Sequence, residues 1–232
     1  MNNLFLYQRS RFNNENLFED LPQEILDILN ANKKIFYFTA GQVIFSERAL
    51  PKGIYIVETG KVKKYTTTSF DREHIFYVCA EKEFLGYHAL LSEEPYPDSA
   101  KAMTKCKIMF IPKYDFLLAV QNSVLLKDRL LKSLSHEFGV FINSTKILAK
   151  YSVRERTALN LLILSEKFKK EEGDEKTNIL VNRDDLANMV GTAKESLVRM
   201  LKDFKEEKLI SSHGREITIL NLQGLIKASN FK

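Results

Sequence analysis

The chain has 232 residues, 44% apolar and 28% charged, a balance that excludes a disordered or fibrous chain and leaves room for two domains. The net charge of +5 divides into +3 over residues 1–150 and +2 over 151–232, so charge suits polyanions without marking one nucleic-acid domain. The opening "MNNLFLYQRS" is too short in apolar residues for a signal peptide, and no run approaches the ~18 apolar residues of a membrane span, so a soluble cytoplasmic protein is expected.

Residues 15–32 place Leu17, Phe18, Leu21, Ile25, Leu26 and Leu29 at helical spacing, interrupted by Pro22; two short helices are expected. From Lys34 to Pro112 the pattern becomes short apolar or alternating runs: "KIFYF", "QVIFS", "GIYIVETG", "KVKKYTTT", "HIFYVCA" and "CKIMFIP". Ala40-Gly41, Pro51-Lys52-Gly53, Thr59-Gly60 and Phe70-Asp71 punctuate them, which predicts an antiparallel sandwich or barrel. Cys79 and Cys106 fall in these apolar runs without metal-ligand spacing and are expected to be buried free thiols.

From Tyr114 to about Lys170 the period is helical. Leu130, Leu134, Phe138, Phe141, Thr145 and Leu148 step by four or three, a near-heptad seam on a helix of roughly 25 residues. Such a seam buries itself against its own domain or pairs with a copy of itself; the length favours pairing. "EKFKKEEGDEK" (166–176) is expected to be a solvated loop.

"TNILVNRDDLANMVG" predicts a strand and a helix capped by Asn182, with Leu186, Met189 and Val190 inward and Gly191 turning the chain. Thr192 is expected to cap the next helix, whose inner face is Leu197, Met200, Leu201 and Phe204. Two short helices about a Gly turn form a helix-turn-helix, and "LISSHGREITIL" predicts a hairpin wing around His213-Gly214. Lys194, Glu195, Val198, Arg199 and Lys202 then point outward. Arg clamps guanine, Glu accepts from cytosine and Lys suits base or phosphate. Two plainer readings stay open: Thr192-x-x-Glu195 is a capping-box pattern, and Glu195 with Arg199 is an i,i+4 surface pair.

"VNRDDLANMVGTAKESLVRMLKDFKEEKLISSHGREITIL" resembles the helix-turn-helix and wing of the cyclic-AMP receptor protein/Fnr (Crp/Fnr) superfamily of bacterial transcription regulators. "AGQVIFSERALPKGIYIVETGKVKKYTTT" is similar to that family's β-roll, and "FLGYHALLSEEPYPDSA" falls where the family has its phosphate-binding cassette. The resemblance implies an α+β fold: a cyclic-nucleotide-binding-like β-roll (jelly roll) over 1–120, a dimerisation helix over 121–150 and a winged helix-turn-helix over 151–232. It implies a homodimer on double-stranded, roughly palindromic DNA, with RNA polymerase as a further partner through the loop around Lys167–Glu175 or a β-roll surface. The DNA-facing set is then Thr192, Lys194, Glu195, Ser196, Arg199 and Lys202, with Arg183, His213 and Arg215. Lys194 stands where the family has Arg and lacks its planar fork.

The pocket departs from the nucleotide-binding pattern. Its candidate residues are Gly86, Tyr87, His88, Asp98, Ser99 and Ala100. Tyr87 stands where a Glu holds the ribose, and Asp98 where an Arg neutralises the phosphate; an Asp there has the wrong sign. No nearby residue obviously replaces that Arg. Cyclic AMP is therefore not expected, whereas an unknown effector is compatible with the pocket. Two cysteines are too few for an iron–sulfur cluster, and His88 is expected to pack or hydrogen-bond. His74 is expected in a hairpin turn, His136 on the long helix, Tyr96 in a stiff structural loop, and Met103, Met109, Met189 and Met200 in the core. Three functions compete: an effector-independent regulator, a ligand-gated Crp-type activator, and an enzyme. The last lacks a phosphate loop, HExxH and GxSxG, so no catalytic residue or metal ligand is expected.

Overall fold

The computed structural model describes residues 8–68, 72–169 and 177–231. Two compact units emerge. One is built from Phe12–Thr66 and Tyr77–Gly139; the other takes the residues up to Arg11, Thr67–Phe76 and those from Val140 on.

In the first unit, helix α1 (Gln23–Asn30) starts immediately after Pro22. Residues 15–20 are turns, so one helix forms where two are expected. Leu17 and Leu21 are buried all the same; their spacing reflects burial of an irregular segment whose Asp20 is left-handed (φ 51). Strands β1 (Lys34–Phe38), β2 (Val43–Phe45), β3 (Gly53–Thr59), β4 (Val62–Thr67) and β5 (Glu73–Cys79) follow. Then come β6 (Phe84–Leu85), helix α2 (Tyr87–Leu91), β7 (Ser99–Ala102) and β8 (Cys106–Pro112). They make two four-stranded sheets, ordered β1-β8-β3-β6 and β2-β7-β4-β5. Helix α3 (Lys113–Asn122) and the long α4 (Val124–Lys150) complete the set, with the Ser123 Oγ accepting from the Leu126 amide at the break between them.

The first unit's core joins Leu17, Ile25, Ile54, Ile111, Phe116, Leu126 and Leu130. Removing that apolar surface from water is the main stabilising term. Both cysteines are buried free thiols. Tyr96 stacks on Phe45 at 4.0 Å, as suits a structural loop. His74 lies in β5, not in a hairpin turn, and His136 lies on α4. Met103, Met109, Met189 and Met200 are only half-buried, so they border the core instead of filling it.

The second unit carries α5 (Val153–Phe168), β9 (Asn178–Leu180), α6 (Arg183–Val190), α7 (Lys194–Glu206), β10 (Ile210–His213), β11 (Glu216–Ile219) and α8 (Leu222–Ser229). Helix α5 opens with a capping box: the Ser152 Oγ accepts from the Glu155 amide and Glu155 returns the bond. It runs through Phe168, so Glu166–Phe168 are helical where a loop is expected, and residues 170–176 of that stretch lie outside the described residues. The wing sheet is β10-β11-β9, antiparallel, with Ile217 and Ile219 turned inward. Helix α8 has no counterpart in the sequence reading. It packs so closely that a Cβ on Gly224 would lie 2.5 Å from Leu209.

Candidate nucleic-acid interface and effector pocket

Helix α6 is held at both ends. The Asn182 Oδ1 accepts from the Asp185 amide at 2.7 Å, and Gly191 ends the helix left-handed (φ 68, ψ 50). Asn182→Ala is expected to lower stability by ~1 kcal/mol, read as a lower midpoint in urea unfolding with unchanged slope.

The start of α7 differs from expectation. The Thr192 amide donates to Ala187 O at 3.1 Å, which keeps Thr192 in the turn. The N-cap is Ala193, with no side-chain cap, so Glu195 is the second helical residue instead of the third. The capping box does not form, because register puts Glu195 one position too early to reach back. Among the described residues no ion pair joins Glu195 to Arg199 either. Leu197, Leu201 and Phe204 are buried and Met200 half-buried, whereas Lys194, Glu195, Val198, Arg199 and Lys202 are exposed along one face. Thr192 and Ser196 are half-buried at its edge.

Two of those cations have neighbours. Lys194 Nζ lies 2.9 Å from Asp184, and Lys202 lies 3.7 Å from Glu206; both pairs are solvent-exposed and weak, hence easily exchanged for an external anion. Thr192, Lys194, Glu195 and Arg215 line one open groove with Asn182 and Asp184. His213 and Arg215 are exposed at the wing turn, where Gly214 has φ 55. Arg183 is half-buried, its Nη1 is enclosed without a hydrogen-bond partner, and burial lowers its pKa.

The pocket is built around charges that the structure already pairs. Gly86 is left-handed (φ 81), which lets α2 start there and buries Tyr87. The Tyr87 hydroxyl donates to Glu137 of α4 and lies 3.1 Å from Ser133 Oγ. Burial, then the Glu137 carboxylate, pushes the Tyr87 phenol well above its ordinary value. Asp98 is 3% exposed, and Lys64 Nζ lies 3.3 Å from it. That lysine comes from β4, a different strand, and is committed to Asp98. Burial opposes both charges, yet the pair wins, so the Asp98 pKa falls and the Lys64 pKa rises. His88 Nε2 lies 3.4 Å from Asp98 Oδ1, close but without a hydrogen bond of ordinary geometry. Ser99 Oγ accepts from the Glu47 amide at 2.9 Å, and Ala100 is fully buried. Lys64, Glu137 and Asn14 are the residues missed; the available signal was polar side chains at buried positions, with Glu137 spaced by seven from Leu130 on α4.

The expected seam divides between two faces of α4. Leu130 is buried in its own unit and Leu134 packs against that core, so neither is free for a partner. Phe138, Phe141, Thr145 and Leu148 are exposed. The most exposed apolar residues of α4 are Val124 (73% exposed), Leu131 (66%) and Phe138 (68%), seven apart.

Residues 35–123 match the family described as cyclic nucleotide-binding domain, and residues 155–228 match the Crp-like helix-turn-helix domain. The Vibrio cholerae fumarate and nitrate reduction regulatory protein is 26% identical over 183 residues, covering 78% of this chain and 72% of that one. The Pseudomonas aeruginosa transcriptional activator protein Anr is 25% identical, covering 78% and 74%. Among solved structures, a putative Crp/Fnr-family transcriptional regulator from Eubacterium rectale shares the fold at TM-score 0.74 with 18% identity, over 93% of this chain and 98% of that one. No helix among the described residues is long and apolar enough to cross a membrane. With a nucleotide-binding-type β-roll followed by a Crp-like helix-turn-helix, on the fold of solved members, the chain belongs to the Crp/Fnr family of DNA-binding transcription regulators.

Proposed function

We propose that the chain is a homodimeric, sequence-specific regulator that binds roughly palindromic DNA and acts without cyclic AMP. In this reading residues 1–120 are an effector-type domain, 121–150 the dimerisation helix and 151–232 the DNA-binding domain. Arg199 takes a guanine, Glu195 the cytosine side of a pair, and Lys194 and Lys202 mainly phosphate. Thr192, Ser196, His213 and Arg215 flank them and fix the helix on the backbone.

One observation carries the base-reading assignment: Glu195 and Arg199 are exposed on α7 and committed neither to a cap nor to each other. The exposed Val124, Leu131 and Phe138 on α4 support pairing with a second copy. Independence from cyclic AMP is supported by Tyr87 and Asp98, which are tied to Glu137 and Lys64. RNA polymerase contact through the β-roll surface belongs to the same reading.

Arg199→Ala tests the assignment. It is expected to lose ~1–3 kcal/mol of operator affinity and to relax preference at one base pair, measured by anisotropy titration at fixed salt. Parental affinity and selectivity in that variant would remove Arg199 from the reading set.

A further inference from the structure

We propose that residues 12–17 act as a built-in peptide ligand, seated in cis between the β-roll and α4 of the same chain. The proposal rests on the regulator reading above for its consequence, though not for its geometry.

Phe12 is 1% exposed and its ring lies flat on Tyr77, with centroids 3.6 Å apart and planes 7° from parallel. The Phe12 amide donates to the Tyr77 hydroxyl at 2.6 Å, and the Lys64 ammonium sits 5.5 Å from the Phe12 ring centroid. Asn14 is fully buried. Its Oδ1 accepts from the Phe84 amide at 3.1 Å, and its Nδ2 donates to Phe84 O at 3.3 Å and to Glu137 Oε1 at 2.9 Å. That side-chain amide pairs with β6 as a neighbouring strand's backbone would. Leu17 is buried beside it, and Arg129 of α4 donates to the carbonyls of Asn16, Leu17 and Glu19.

These contacts have a common target. Lys64 holds Asp98, and Glu137 accepts from Tyr87, so the two positions that depart from the nucleotide pattern are each one side chain away from the N-terminal segment. The segment has neither helix nor strand at 12–14. Irregular backbone is placed inside a core only when its polar groups find partners; here the Phe12 amide finds Tyr77 of β5, and the Asn16 and Leu17 carbonyls find Arg129 of α4. A ligand that bridges β-roll and α4 fixes the position of α4. Residues 12–17 do so from within the chain, which would account for a regulator that needs no added effector. The occupant's chemistry is an aromatic ring between a phenol face and an ammonium, followed two residues later by a carboxamide.

The test uses the full-length chain carrying Phe12→Ala with Asn14→Ala, with and without a synthetic peptide of residues 9–20. Hydrogen exchange of the α4 amides over 126–139 reads the site whether or not the chain binds DNA. Exchange there is expected to rise about tenfold or more in the variant. Parental-sequence peptide should return it toward the parent, and a peptide with both alanines should not. Operator affinity should fall and recover in parallel. Recovered exchange without any operator binding would leave the site standing and fault the regulator reading instead. Parental exchange in the variant, or elevated exchange that the peptide cannot restore, would overturn the proposal and leave the segment as ordinary core. Should circular dichroism show the double variant unfolded, Phe12→Leu, which keeps apolar bulk and removes the stacked ring, is expected to raise α4 exchange by a smaller, peptide-reversible factor; a Phe12→Leu chain indistinguishable from the parent would count against the proposal.

Discussion

Replacing Lys64 with Met while Asp98 remains is expected to destabilise the fold by about 3–5 kcal/mol, because it leaves a buried carboxylate without its cation. The side chains of the pair are 5% and 4% exposed, so water cannot substitute for the missing partner. Neither Asp98 oxygen has a hydrogen bond of ordinary geometry to fall back on. Lys64→Met with Asp98→Leu removes both charges and is expected to recover most of the loss, since apolar replacement of a whole buried pair is often neutral. A double variant as unstable as the single one would show that packing of the lysine stem, not charge, dominates.

The same pair sets a pH dependence. Burial raises the Asp98 pKa, but Lys64 outweighs burial and holds it below its ordinary 3.8. Burial, then Lys64, lowers the His88 pKa from its ordinary 6.5, against the pull of Asp98. Both folded values are depressed, so both groups contribute stability that is present above the unfolded values and lost as pH falls. Acidification therefore weakens the fold first from about pH 6.5, as His88 is drawn to protonate, and again from about pH 3.8 down through the folded Asp98 value. Glu137, raised by burial, contributes in the opposite sense: its share is present at acid pH and lost as pH rises through its folded value. Lys64 also lowers the Glu137 pKa, so in Lys64→Met Glu137 shifts upward in the same direction as Asp98. In that variant the unpaired Asp98 carboxyl rises above its unfolded value, so lowering the pH from 7 to 5 should shrink the stability difference from the parent. A gap that stays constant in urea unfolding would contradict the assignment.

If the chain pairs through α4 as proposed, Phe138→Glu is expected to leave it monomeric at micromolar concentration where the parent is dimeric, seen by sedimentation equilibrium. Val124, Leu131 and Phe138 recur every seven residues and stand outside the first unit's core. A carboxylate on such a seam, paired about a two-fold axis, would meet like charge in a desolvated place. Operator affinity should fall by about 10²–10⁴, because the two recognition helices then bind independently. Leu130→Glu provides the contrast: Leu130 is 3% exposed in its own core, so that change should unfold the first unit. An unchanged sedimentation profile for Phe138→Glu would remove the seam.

The helix-turn-helix was legible because its signals are local. Asn182 and Gly191 cap and stop α6 by chemistry that depends on neighbours in sequence, and the wing follows from Gly214 between two alternating runs. The long α4 was legible from periodicity, but its two apolar faces were not separable, since Leu130 and Leu131 are adjacent and only the fold says which one the roll covers. β6 and β7 escaped because two and four residues carry no readable period. The cap of α7 was misplaced by one residue because the Thr192 amide is drawn into the preceding turn. Asp98 was singled out in the sequence, but its grouping with Asn14, Lys64 and Glu137 was not legible; the four lie on separate segments and only tertiary structure brings them together.

The most direct test of the account is anisotropy titration of the protein against DNA from its own upstream region, at fixed moderate salt, with a scrambled competitor and with or without cyclic AMP. Tight, selective binding that is unchanged by the nucleotide and lost in Arg199→Ala is the predicted result. Selective binding that arises only when cyclic AMP is added would contradict it, and would mean that the pocket accepts a phosphate despite Tyr87 and Asp98.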